Sequence, residues 1–404
     1  MAEVSLNDIR AAEQVLQGIT YRTPLQESNA LNDVLNARCF FKLENLQRTG
    51  SFKLRGAYNR MCHLTPEQLT RGVIAASAGN HAQGVALAAR LVGTSAVVVM
   101  PELASMTKVT ATRSYGAEVE LFGQHFDDAY RRAQEIAAET GRVLIPAFED
   151  AMVIAGQGTV GLEMLDVKPN LDLLVVPIGG GGLISGIAVA AKSRNPHIRV
   201  IGVEAEGAAA MAASRRAGRL TPLEAVHTIA DGIAVKQPGA MTFALIQEYV
   251  DDIVTVADHD ISRAILLFLE RFKLVVEGAG AAGLGALLSG RIPVGPERIG
   301  VVVSGGNIDV GLLSRLLEKG LTEEGRQLHL RAVIPDTPGQ LSNLLAVVAG
   351  LRANVLSVAH ERWHPGIDPN QVEVRLVLET RDDHHAQEVL AAVAAVNPGV
   401  EKMA

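Results

Sequence analysis

Two cysteines, Cys39 and Cys62, are all that the 404 residues contain, and they form no CxxC pair. Nothing in their spacing supports a disulfide framework. No basic block offsets the formal charge of -7, so no nucleic-acid partner is expected. Long apolar runs are also missing. Residues 97–100 and 173–177 are strand-length and far too short to span a bilayer, and no membrane partner is expected. Met1-Ala2-Glu3-Val4-Ser5 has neither a basic n-region nor an apolar h-region, so a soluble cytoplasmic protein is expected. There is no HExxH and no cluster of His and Cys, which leaves no catalytic transition metal to expect. Internal repeats and low-complexity tracts are absent.

What is present is hydrophobic and glycine-rich: 48% hydrophobic residues and 39 glycines. That composition suits a packed α/β core, and the length suits two or three domains. Residues 6–18 read as an amphipathic helix, with Ile9, Val15 and Leu16 on one face and Gly18 as its stop. Residues 21–25 read as a turn and 39–44 as a strand. Strands at 73–76, 96–100, 118–122 and 142–146 then alternate with helices. Further buried strands are expected at 171–178, 199–204, 253–256 and 299–303. This alternation predicts two parallel sheets, a smaller one around residues 50–150 and a larger one from the N-terminal segment with about 150–320. A site between them would collect loops from the carboxyl ends of strands in both. Composition changes near residue 320. Residues 321–326 read as a linker, and 327–404 as a β-α-β-β-α unit with a short last strand, a ferredoxin-like α+β arrangement.

Four stretches carry chemistry. In Ser51-Phe52-Lys53-Leu54-Arg55-Gly56-Ala57 the lysine lies between apolar neighbours at a helix start. An inward ammonium has its charged form disfavoured, which leaves a nucleophilic amine. Gly179, Gly180, Gly181 and Gly182 follow a buried strand and precede a helix starting at Leu183-Ile184-Ser185-Gly186. Converging N–H groups and the helix dipole suit a phosphate there. No GK[ST] follows, so this is not a Walker loop, and the mid-chain position does not suit a GxGxxG fingerprint. Ser77-Ala78-Gly79-Asn80-His81 is a second strand-to-helix junction that could hold a carboxylate, or Asn80 could serve only as a helix N-cap. Ser304-Gly305-Gly306-Asn307 follows a third strand. Its serine can meet a ring nitrogen without bringing a charge, or the stretch is a turn with a cap at Asn307.

Taken together, these motifs resemble the fold-type II pyridoxal phosphate enzymes, built like tryptophan synthase β with two parallel-sheet domains. Within that superfamily the chain looks like the threonine ammonia-lyases (threonine dehydratases) over residues 5–320 or so. The tail, with Asp336-Thr337-Pro338-Gly339, resembles a single ACT regulatory domain. The resemblance implies pyridoxal 5'-phosphate as cofactor, a catalytic unit over 1–320 and an ACT-like unit over 327–404. Lys53 would be the Schiff-base lysine and the base for the α-proton, with Phe52 packed beside the ring. Asn80 would bond the phenolic oxygen. Residues 179–182, with Leu183, would hold the phosphate, and Ser304 would meet the pyridine nitrogen. Ser77, Ala78, Gly79, Asn80 and His81 would form the substrate-carboxylate loop.

The implied reaction is β-elimination of L-threonine to 2-oxobutanoate and ammonia, with L-serine as a further substrate. It would serve isoleucine biosynthesis or threonine catabolism. A neutral Ser304 would weaken the ring as an electron sink and favour prompt elimination. The racemases of this superfamily carry a second serine where this chain has Ala78, so racemisation should be minor. Glu204 matches the first acidic residue of their cation site, but Ala210 replaces the second, and no metal is assigned. A branched-chain amino acid such as isoleucine is expected as an effector at the ACT-like segment, in a homodimer or homotetramer. The alternatives are an L-serine dehydratase or other hydroxy-amino-acid β-eliminase or racemase on the same scaffold, an amino-acid-sensing protein, and a nicotinamide dehydrogenase. The last lacks its fingerprint.

Overall fold

The computed structural model describes residues 4–362 and 366–403. Met1, Ala2 and Glu3, read above for a leader, lie outside the described residues, as do 363–365 and Ala404 of the C-terminal segment. The chain forms two compact units, Met1–Asp309 and Val310–Ala404.

The first unit holds two sheets. Across the larger run strands Leu25–Glu27, Arg38–Leu43, Arg298–Val303, Leu173–Pro177, Arg199–Ala205 and Asp252–Val256. All neighbours are parallel except the first pair. Residues 21–25, expected as a turn, therefore end in a short edge strand. The smaller sheet is parallel throughout, in the order Glu118–Leu121, Ala96–Met100, Val73–Ala76 and Val143–Leu144. Continuous runs such as Leu173–Pro177 are buried at every residue, as a strand covered on both faces must be. Among the described residues no helix is long and apolar enough to cross a membrane.

Local chemistry sets the helix ends. Ser5 caps helix Leu6–Leu16 in a capping box with Asp8, and Thr65 does the same for Pro66–Arg71, with proline in its first turn. Glycines set how closely helices approach. A Cβ on Gly156 would lie 2.7 Å from Gly56 Cα, so helix Lys53–Cys62 rests directly on helix Ala151–Val167. A Cβ on Gly84 would meet the Lys53 backbone at 3.0 Å. Gly186, where helix Gly182–Arg194 crosses helix Ala151–Val167, leaves even less space. Its added Cβ would come within 2.3 Å of the Ile154 carbonyl oxygen and 2.6 Å of the Gly158 nitrogen. Gly186→Ala should therefore cost about 1–3 kcal/mol in denaturant unfolding, because backbone on the facing helix cannot rotate away. An unchanged midpoint would refute this.

The second unit folds as strand Gln327–Pro335, helix Gln340–Gly350, strands Asn354–Glu361 and Gln371–Glu379, helix Asp383–Val396 and strand Glu401–Lys402. Its sheet is antiparallel, with Gln371–Glu379 and Gln327–Pro335 at the centre. This is the expected ferredoxin-like arrangement. Its boundary differs from the expected one. Helix Val310–Glu323 packs against strand Gln327–Pro335, so the division falls at 309/310 rather than 320. Only 324–326 of the expected linker is non-helical. Leu316 and Gly320 are buried, and that apolar face outweighs the charged residues that suggested a linker.

Candidate functional site

The Lys53 loop is zipped to the Ser304 loop by main-chain bonds. Phe52 N donates to Ser304 O at 3.2 Å, Gly306 N donates to Gly50 O at 2.9 Å, and Ser51 pairs with Gly305. The carboxyl end of the buried strand Arg298–Val303 thus places Ser304 beside the first turn of the Lys53 helix. Phe52, Lys53, Asn80, Leu183, Ser304 and the four glycines 179–182 all line one cleft. Sequence reasoning had drawn these from four separate loops.

Lys53 Nζ donates to the Ala147 carbonyl at 3.0 Å and sits 5.1 Å from the centre of the Phe52 ring. Burial pushes the amine down to about 8, with the Glu277 carboxylate opposing the shift. About a tenth of the amine is therefore uncharged at pH 7, a far larger share than in an ordinary lysine.

The glycine turn is held from behind. A Cβ on Gly180 would run into the Phe148 ring at 2.1 Å, and Gly181 has φ +93. No non-glycine residue fits either position without strain. The N–H groups of Gly179, Gly180 and Gly181 find no acceptor among the described residues. They stand at the N-terminus of helix Gly182–Arg194, a set of unspent donors suited to an anion. Packing and anion binding both require glycine here. Ser304 is buried, and its hydroxyl has no partner among the described residues.

The other junction differs in detail from expectation. Gly79, not Asn80, is the N-cap of helix Asn80–Val92. Ser77, Ala78, Gly79 and His81 adjoin Asn80 but do not line the cleft. Ser77 Oγ accepts from Gly79 N at 3.2 Å, which leaves its own hydrogen free. Ala78 packs against the small-sheet core, and a Cβ on Gly79 would meet open space. The His81 ring is committed elsewhere. Its Nε2 must donate to the Ile145 carbonyl at 2.8 Å, since a carbonyl can only accept. Burial, reinforced by the Lys53 amine, holds the ring neutral and pushes it down to about 3. Nδ1 is then an acceptor, so His81 can offer a carboxylate only its main-chain N–H.

That buried neutral ring has a consequence for stability. Between about pH 3 and the ordinary value near 6.5, the unfolded chain binds a proton at His81 that the folded chain does not. Stability contributed here is complete above that window and is lost as pH falls through it. Going from pH 7 to 5 should cost up to about 2 kcal/mol at this residue. His81→Gln keeps a donor for Ile145 and should lose that part of the slope. Urea unfolding of both proteins at the two pH values decides it, and parallel slopes would reject the assignment.

Three features escaped sequence reasoning. Glu277, the N-cap of helix Gly278–Leu288, is buried and lines the cleft. Burial pushes its carboxyl up to about 7, helped by Asp231 and opposed by the hydrogen bond from Asn80. Lys108 pairs with Asp231, tying helix Met106–Ser114 to the Glu277 side of the cleft. Asn307 is not a helix cap: the next helix begins at Val310. Instead its Nδ2 donates to Thr49 O and Asn80 Oδ1.

A further feature lies behind the lysine. Arg55 is fully buried and donates to Glu44 at 2.8 Å, to Glu163 at 2.6 Å and to Thr159 at 3.1 Å. Lys42 joins the same group through Glu163 and the Thr23 carbonyl. The signal in the sequence was two charges, Lys42 and Glu44, inside an apolar strand. Glu204 is buried too, and both its oxygens accept main-chain N–H groups, from Met211 and Ala212 at 2.8 Å each. Its bonds go to a helix start.

The chain matches the family described as pyridoxal-phosphate dependent enzyme over residues 16–305. It is 48% identical to the L-threonine ammonia-lyase of Thermotoga maritima over 386 residues, 96% of each chain. It is 46% identical to the catabolic L-threonine dehydratase of Escherichia coli K12 over 315 residues, 78% of this chain and 96% of that one. Among solved structures, threonine deaminase isoform 2 from Solanum lycopersicum superposes with a TM-score of 0.74 at 40% identity, covering 78% of this chain and 86% of that one. Maize serine racemase gives 0.74 at 38%, covering 80% and 99%.

Proposed function

We propose a function from the premise that the chain belongs to the pyridoxal-phosphate dependent enzymes: it converts L-threonine to 2-oxobutanoate and ammonia by β-elimination. The relatives named as threonine ammonia-lyases or dehydratases support the substrate. The observation that carries the chemistry is the Lys53 amine, pushed down to about 8, sharing one cleft with the four glycines and Ser304.

The residues fit pyridoxal 5'-phosphate. Lys53 would hold it covalently, and the unspent N–H groups of Gly179, Gly180 and Gly181 would take the phosphate. Gly182 and Leu183 start the helix behind it. Phe52 would pack at the ring's side, Asn80 would donate to its phenolic oxygen, and the Ser304 hydroxyl would meet its nitrogen without adding a charge. When bound, the coenzyme supplies the electron sink that makes a substrate α-proton removable.

The chain's own groups do the rest. The uncharged Lys53 amine takes the proton at the substrate α-carbon. The Ser77 hydroxyl, with the N–H groups of Asn80 and His81 at a helix N-terminus, holds the substrate carboxylate. Ala78 places no acid on the opposite face, so racemisation stays minor. Serine differs from threonine by one methyl, worth about 1–3 kcal/mol of discrimination in a pocket. L-Serine is thus a slower substrate. The Val310–Ala404 unit would bind a branched-chain amino acid, and the enzyme would work in the cytoplasm as a homodimer or homotetramer.

Purified protein assayed for 2-oxoacid from L-threonine and L-serine, with and without isoleucine, tests each part. Product from neither substrate overturns the function. Activity and oligomer size indifferent to isoleucine and valine remove the regulatory part alone.

A further inference from the structure

Asn80 has a part in the proposed reaction, whereas Glu277, Asn307 and the glycines between Ser304 and Asn307 have none. These residues form one hydrogen-bond chain. Asn307 Nδ2 donates to the Thr49 carbonyl at 2.8 Å and to Asn80 Oδ1 at 2.7 Å. Asn80 Nδ2 donates to Glu277 Oε1 at 2.6 Å. Its direction is determined from one end. The Thr49 carbonyl can only accept, so Asn307 must turn its NH2 edge towards Thr49 and Asn80. Asn80 must then accept through oxygen and donate through nitrogen, and Glu277 receives that donation. One N–H of the Asn80 amide is spent on Glu277. The other has no partner among the described residues, and Asn80 lines the cleft.

The glycines make room for this chain. A Cβ on Gly305 would lie 2.3 Å from Glu277 Oε1 and 3.1 Å from Asn80 Nδ2. On Gly50 it would lie 2.5 Å from Asn307 Oδ1, and on Gly232 3.3 Å from Glu277 Oε1. Three glycines from three loops thus border the same few polar atoms, and Glu277 itself is only 3% exposed.

We propose that Asn307 and Glu277 are positioning residues that hold the Asn80 amide in one orientation, with its single uncommitted N–H offered to the cleft. The proposal rests on the reading in which Asn80 donates to the phenolic oxygen of the coenzyme. A reversed amide would set oxygen against oxygen there. The titratable and charged neighbours of Glu277 are Lys53, Asp231 and Lys108. None of them supplies the acceptor that Asn80 needs.

Asn307→Asp tests this directly. A carboxylate has no N–H for Thr49 or for Asn80 Oδ1, so the Asn80 amide turns over to donate to it. Binding of pyridoxal 5'-phosphate by the full-length protein, followed by equilibrium dialysis, should weaken about tenfold, and the visible band should shift. Asn80→Ala should lose a similar amount. The double variant should be no weaker than Asn80→Ala alone, because Asn307 acts only through Asn80. Additive losses overturn the proposal.

A second pair of variants keeps the test open should Asn307→Asp fail to fold by circular dichroism. Glu277→Gln retains an acceptor and should keep most of the affinity, whereas Glu277→Leu should lose as much as Asn80→Ala. Equal losses in the two Glu277 variants, or none in either, would also overturn it. A wild-type chain that takes up no pyridoxal 5'-phosphate overturns the proposed function and this inference together. A wild type that binds it normally while the losses add overturns the inference alone.

Discussion

Replacing Lys53 with alanine should abolish 2-oxoacid formation from L-threonine, by about four orders of magnitude or more, while the fold survives. The amine is the group proposed both to hold the coenzyme and to take the α-proton, so one substitution removes two functions. The loss cannot be blamed on unfolding. Among the described residues the amine makes a single hydrogen bond, to Ala147 O, and its pKa is lowered to about 8 by burial. A base depressed in this way binds its proton less readily in the folded state than in the unfolded one, so below about pH 10 it works against folding. Its removal at neutral pH should raise the denaturation midpoint or leave it alone. Residual activity within tenfold of wild type, with the coenzyme still retained, would show that a different group does the chemistry.

Arg55→Met should cost about 3–5 kcal/mol of stability. Arg55 and Lys42 face Glu44 and Glu163 in a buried group whose charges sum to zero, and Arg55 alone contacts both carboxylates at bonding distance through its fork. Burial pushes the Glu44 carboxyl up, but Arg55 and then Lys42 outweigh that and hold it below the ordinary range. Taking Arg55 away leaves two buried carboxylates with one lysine. The damage comes from that uncompensated charge more than from the lost bonds. The double variant Arg55→Met with Glu163→Gln restores neutrality and should recover part of the loss, a non-additivity that urea titration resolves. Arg55→Lys should not rescue, because an ammonium cannot span both carboxylates as the planar fork does. A loss under about 1 kcal/mol for Arg55→Met would mean that water reaches the cluster and the charges are solvated.

Much of the catalytic unit was legible in the chain. The strands at 73–76, 96–100 and 173–177 are short apolar runs bounded by glycine or polar turns, and period and composition suffice for them. The glycine quartet and Ser304 stood out because each interrupts such a pattern at the end of a strand, and Lys53 because it is a charge between apolar neighbours at a helix start. The Leu25–Glu27 edge strand did not stand out. It is three residues long with no buried position, and its pairing with Arg38–Leu43 is the only evidence for it. The last turn of helix Val310–Glu323 falls in the stretch expected as a linker, because its charged residues mimic one, although one face of the helix is buried. That the His81 ring is committed to the Ile145 carbonyl was not legible either.

The sequence by itself determined the class of fold and the order of the chemical loops, because apolar periodicity and glycine placement are local properties written residue by residue. Only the tertiary structure decided which polar groups are partners. Asn80 meets Glu277 and Asn307 across some two hundred residues of chain, and Arg55 meets Glu163 from a separate helix. Such pairings depend on the direction of each donor and acceptor and on burial, and both are set when distant segments pack together.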